Sequence, residues 1–132
     1  MKHLTIDLRP DAYSVVRLPA DAPVPADLLE PGQPGLVSVT RTPDELSVIC
    51  PSGREPRSAT VENAWRLFTV RGPLEFTLTG IISALASELA AAGVALFSLS
   101  TYDTDHILVR ADDLDRAAAA FREAGHEVLL PG

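Results

Sequence analysis

The chain has 132 residues, 46% of them hydrophobic, which suits one ordinary domain or two very small ones sharing a core. Its 11 basic and 18 acidic side chains leave a net charge of −7, a surface that repels phosphate backbones and argues against nucleic acid as a partner. The single cysteine, Cys50, has no internal disulfide partner and points to a reducing, cytoplasmic compartment, and Met1 to Pro10 lacks an apolar signal core.

In chain order, Leu4–Leu8 alternates apolar and polar residues and predicts a strand; Tyr13–Leu18 predicts a second. Pro19–Pro34 is rich in Pro and Ala and leaves room only for a short helix at Ala26–Glu30. Leu36–Thr40 and Leu46–Cys50 read as two strands around a short turn, and Pro51–Asn63, with Pro, Ser, Gly and charge, reads as a linker. Trp65–Val70 is a strand, broken by Gly72 and Pro73. A helix is expected from near Thr79 to about Ala92, with Ile81, Ile82, Leu85 and Leu89 on one face and Gly93 at its end. Val94–Leu99 and His106–Arg110 are strands. A second helix spans Asp112–Ala124, with Asp112 as N-cap, Leu114, Ala117, Ala118 and Phe121 as inner stripe and Gly125 as stop. Glu127–Leu130 is the last strand. The apolar stretch Ile81–Leu99 is interrupted by Ser83, Ser87, Glu88 and Gly93, so it reads as helix plus strand and not as a membrane span.

From Trp65 onward the order is β-α-β-β-α-β, the ferredoxin-like unit of an α+β fold. A short internal repeat points to two units. Thr40–Val48 lines up with Thr101–Val109, placing Asp44 against Asp105 and Leu46 against Ile107, and Val16–Pro19 lines up with Val70–Pro73. The expected organisation is an incomplete N-terminal repeat over residues 1–60 and a full C-terminal one over 61–132. Leu4–Leu8 would then supply an edge strand that the first repeat otherwise lacks.

The run from Gly72 to Ile82, followed by Ser100-Thr101-Tyr102-Asp103-Thr104-Asp105-His106-Ile107-Leu108-Val109, resembles the tandem ACT-domain proteins of the CASTOR-like group. Thr40–Val48 resembles the signature of their first repeat, and the resemblance extends over nearly the whole chain. It implies two tandem ACT-type repeats and reversible binding of an amino acid or similar small metabolite by a regulatory sensor. The animal arginine sensors of growth signalling carry a related unit but more copies of it. A chain this short would therefore act as a homodimer, with the ligand site inside one chain or between two, and a regulated protein partner is a further implication.

An α-amino acid needs an anion site and a cation site close together. A helix N-terminus supplies the first through its free N–H groups and dipole, and Thr79-Gly80-Ile81 fits, with Thr79 as cap and Gly80 allowing close approach; the alternative is a cap and nothing more. For the cation, Asp105 is preferred because the motif carries it and Asp44 repeats it. Asp103 reads first as a turn residue. Ser100, Thr101 and Thr104 add donors. Tyr102 covers a ligand stem or is simply a half-exposed strand aromatic. Thr40 and Thr42 are the matching positions of the first repeat.

Other chemistries fare worse. Asp103, Asp105 and His106 have no second His or Cys at metal-ligand spacing, no catalytic elbow or phosphate loop occurs, and no cofactor is implied. His106 reads as a neighbour of the site, Cys50 as an inert core thiol, and Trp65 as a packing anchor. The rival functions are an adaptor dimer without a ligand, and an enzyme acting on an amino-acid derivative through Asp105 and His106.

Overall fold

The computed structural model describes residues 3–58, 60–72 and 80–131, which form eight strands and two α-helices in two compact units. Met1–Pro10 with Arg66–Gly132 makes one unit and Asp11–Trp65 the other. The strands are β1 (Thr5–Leu8), β2 (Tyr13–Leu18), β3 (Ser38–Arg41), β4 (Leu46–Pro51), β5 (Thr60–Val70), β6 (Leu96–Ser100), β7 (Asp105–Arg110) and β8 (Glu127–Leu129). The helices are α1 (Ile81–Ala91) and α2 (Leu114–Glu123).

The unit containing Arg66–Gly132 has the α+β ferredoxin-type fold, β5-α1-β6-β7-α2-β8. Its sheet runs β6-β7-β5-β1-β8. β1 is inserted between the unit's own first and last strands. It lies antiparallel to β5, with Ile6 opposite Val70, and parallel to β8, with Ile6 opposite Val128. The expectation that Leu4–Leu8 would edge the first repeat is thus corrected. Alternation fixes which side chains of a strand face inward, but not which strands flank it. Ile6 and Leu8 enter a core with Phe68 and Val70 of β5, Leu85 and Leu89 of α1, and Phe121 of α2. Phe68 and Phe121 meet edge to face at 5.3 Å.

Both helices end in the way their glycines predict. Gly93 (φ 75°) donates to the Ala90 carbonyl while Val94 donates to Leu89, and Gly125 (φ 98°) donates to Arg122 while His126 donates to Phe121. Each is a Schellman motif that satisfies otherwise orphaned carbonyls. The starts differ from expectation. Gly80, at φ 78°, holds the N-cap position of α1, and Thr79 lies outside the described residues. A 3₁₀ turn, Ala111–Asp113, precedes α2 and moves its N-cap from Asp112 to Asp113. The Asp113 carboxylate makes no cap bond and pairs instead with Arg116 at 3.0 Å, one helical turn on. His126 is buried; its Nδ1 accepts the Leu4 N–H at 3.1 Å and its Nε2 faces the Glu88 carboxylate at 3.1 Å. That bridge fastens the start of β1 to α1.

In the other unit the order is β3-β4-β2-β5, all antiparallel. Val16, Leu18, Leu46, Val48 and Cys50 pack with Leu28 of a 3₁₀ turn, Ala26–Leu29, where a short helix is expected. The supposed linker is shorter than the composition implies, because Thr60–Glu62 pairs with β2 as the first part of β5. Ser14 opposes both Asn63 and Ala64, a bulge that puts Ala64 at φ 63°. Burial drives the Cys50 thiol up to about 11, which makes it unreactive.

Candidate functional site

The S-T-Y-x-T-D run forms the turn between β6 and β7. Ser100 and Asp105 are the last cross-strand pair, and residues 101–104 form a four-residue loop closed by the Thr101 N–H on the Thr104 carbonyl at 2.9 Å. The Ser100 hydroxyl donates to Asp105 Oδ1. Thr104 turns inward and its hydroxyl donates to the Val70 carbonyl at 2.6 Å, which anchors the loop to the end of β5. Asp103 is exposed, and Tyr102 is 80% exposed. The structure therefore brings Ser100, Thr101, Thr104 and Asp105 into one hydrogen-bonded turn, with Tyr102 and Asp103 at its tip.

His106 stands beneath this turn, on the sheet face opposite the helices. Its Nε2 lies 3.2 Å from Thr101 Oγ1 and its Nδ1 3.1 Å from Thr69 Oγ1. The Thr101 hydroxyl gives its proton to the Thr104 carbonyl, so Thr101 accepts from Nε2–H and Thr69 donates to Nδ1. Both ring nitrogens are satisfied with the imidazole neutral. Burial holds the His106 pKa below its ordinary value of 6.5; the Asp105 carboxylate works against that, and the Arg9 guanidinium adds to it. Thr69 and Arg9 are the residues that sequence reasoning misses. The signal for Thr69 is its place between the inward-facing Phe68 and Val70, which turns it to the outer face.

Gly80 and Ile81 begin α1. The Gly80 carbonyl accepts the Ala84 N–H at 2.8 Å, and a Cβ on Gly80 would meet open space. The left-handed backbone, and not crowding, is what favours glycine there. Thr40 and Thr42 lie in the other unit, at the β3–β4 turn. That turn has the same construction: Arg41 and Leu46 close it, and the Thr42 N–H bonds the Glu45 carbonyl at 2.9 Å. The geometry matches Thr42 with Thr101, Asp44 with Asp103 and Leu46 with Asp105. This corrects the sequence alignment of the repeats, and Asp44 is not the counterpart of Asp105. Among the described residues no three His, Cys, Asp or Glu side chains come together as a metal site requires, and no helix is long and apolar enough to cross a membrane.

A helix pair on one face of a sheet with this strand order defines an ACT-type module, and an ACT-domain family model matches residues 60–123. A second family model, for an N-terminal domain, matches residues 11–58. The chain belongs to the same family as the Agrobacterium tumefaciens protein Atu0741, whose crystal structure is 36% identical with a TM-score of 0.89 over 100% of this chain and 96% of that one. The Vibrio cholerae protein VC0802, of unknown function and described as a possible transport protein, shares the fold at 21% identity and a TM-score of 0.66, over 91% and 88% of the two chains. The regulatory subunit of aspartate kinase from Thermus thermophilus, in its ligand-free form, does so at 14% identity and 0.62, over 91% and 97%. No protein of curated function matches the sequence.

Proposed function

We propose that this chain is a regulatory module that binds an amino acid or a similar small metabolite at the β6–β7 turn. One observation carries the reading. Ser100 holds Asp105 Oδ1, while among the described residues Oδ2 accepts no hydrogen bond, so an oriented carboxylate oxygen is left for a cationic group. Thr101 and Tyr102 flank it, and the neutral His106 below adds no competing positive charge. Gly80 and Ile81 at the start of α1 are the proposed carboxylate end, with backbone N–H groups as donors. The resemblance to tandem ACT proteins supports the ligand class, a second ACT-like repeat in the N-terminal unit, a cytoplasmic location and a homodimer as the working form. Through differential affinity for two packings of the module, ligand would shift the balance between them.

A thermal-shift screen of the common amino acids tests the class. A hit should then bind about ten- to a hundredfold more weakly to Asp105→Asn, which keeps the shape but removes the charge, since such hydrogen bonds are worth about 1.5–3 kcal/mol. Calorimetry that finds equal affinity in both proteins removes Asp105 from the site. A screen with no stabilising ligand favours the adaptor reading, in which Ser100 and Asp105 serve only to close the turn.

A further inference from the structure

A cavity of about 410 Å³ lies at the C-terminal ends of β1 and β8, the parallel pair of the sheet. That is within the range of small-molecule sites, roughly 300–1,000 Å³. The carboxyl ends of neighbouring parallel strands are a recurrent place for such a crevice. β1 contributes Asp7 and Leu8 and then Arg9 and Pro10. β8 contributes Leu129 and the two residues after it, Leu130 and Pro131, with Leu130 65% exposed at the rim.

The charges of the cavity are not equivalent. Arg71 grips Asp7 through two bonds, Nη2 to Oδ1 at 2.6 Å and Nε to Oδ2 at 3.1 Å, so this carboxylate is closed to an incoming ammonium group. Arg9 is exposed, and among the described residues no hydrogen bond or ion pair holds its guanidinium. Its backbone is fixed on both sides: its N–H donates to the Leu67 carbonyl at 2.8 Å, and its carbonyl accepts from Arg66. The cavity thus presents one uncommitted positive fork beside an apolar wall, on a chain whose net charge is −7. A guanidinium fork matches a carboxylate in two parallel bonds.

We propose that this cavity is a second small-molecule site, separate from the β6–β7 turn, which takes an organic monocarboxylate with a short apolar body. Arg9 receives the carboxylate, and Leu129, Leu130 and Pro131 receive the body. Hexanoate is a suitable probe and hexanol its uncharged control. Titrated into the full chain and followed by backbone amide NMR, hexanoate should give saturable shifts at Leu8, Leu129 and Leu130. Hexanol should bind at least about tenfold more weakly, and Arg9→Gln should weaken hexanoate by about tenfold or more. Leu130→Glu, which sets a negative charge at the rim without touching Arg9, should do the same. Absence of saturable shifts overturns the proposal. So does equal affinity for hexanoate and hexanol, or hexanoate affinity unchanged in both variants.

Discussion

Ile6→Ala tests the insertion of β1 into the ACT sheet. Ile6 is 1% exposed, lies between Val70 and Val128 and belongs to the core with Phe121. The substitution removes three buried carbons, about 2.4 kcal/mol at roughly 0.8 kcal/mol each. The void between two flanking strands and two helices closes only in part, which brings the expected loss to about 3–4 kcal/mol, inside the usual range of roughly 2–5. With a urea dependence of about 1.5 kcal/mol per molar, the unfolding midpoint should fall by about 2 M. Thr5→Ala is the control. It lies on the same strand but on the outer face, half-buried, and should cost less than about 1 kcal/mol. If Ile6→Ala costs no more than Thr5→Ala, β1 does not sit between β5 and β8 in solution.

Ala64→Gly should stabilise the chain by about 0.5–1 kcal/mol in the same urea assay, because Ala64 sits at φ 63°, where a Cβ costs roughly 1–2 kcal/mol and glycine loses about half of that to entropy; a loss of stability would remove the bulge from β5. His106, its pKa held low mainly by burial, takes up its proton at lower pH in the folded chain than in the unfolded one, which titrates near 6.5. Its contribution to stability is therefore complete above that value and lost as pH falls below it, so His106→Gln should flatten the fall in urea midpoint between about pH 7 and pH 5. Arg9→Gln should raise the His106 pKa followed by imidazole NMR, and an unchanged titration would separate Arg9 from this site.

Much of the ACT module is legible in the sequence because its signals are local. The Ile81–Leu89 stripe gives α1 its inner face, and Gly93 and Gly125 each stop a helix where a left-handed residue is required. Thr60–Ala64 is missed for a physical reason. Its residues are exposed apart from the half-buried Val61, and backbone bonds to β2 hold it as a strand, which leaves little hydrophobic period to read. The repeat alignment fails more subtly. Thr40 and Thr42 are both available to match Thr101, and a slip of two residues leaves every side chain on its own face, so the apolar pattern accepts either register. Only the closing pairs, Arg41 with Leu46 and Ser100 with Asp105, fix the match. Support for Asp105 therefore passes from the repeat to its own bond with Ser100.

The tie between Thr69 and His106 is non-local, as is the insertion of β1, and together they change how the module is understood. The inward side chains of β1, Ile6 and Leu8, help to fill the ACT core, while Asp7 faces outward to Arg71 and Arg9 follows at the strand's exit. The field of Arg9 reaches His106, which is bonded to Thr101 in the β6–β7 turn. Arg9 thus borders the cavity and also bears on the charge of the imidazole beneath the turn. The strand contributed by the start of the chain is therefore both a core element of the ACT sheet and one wall of the cavity beside β8.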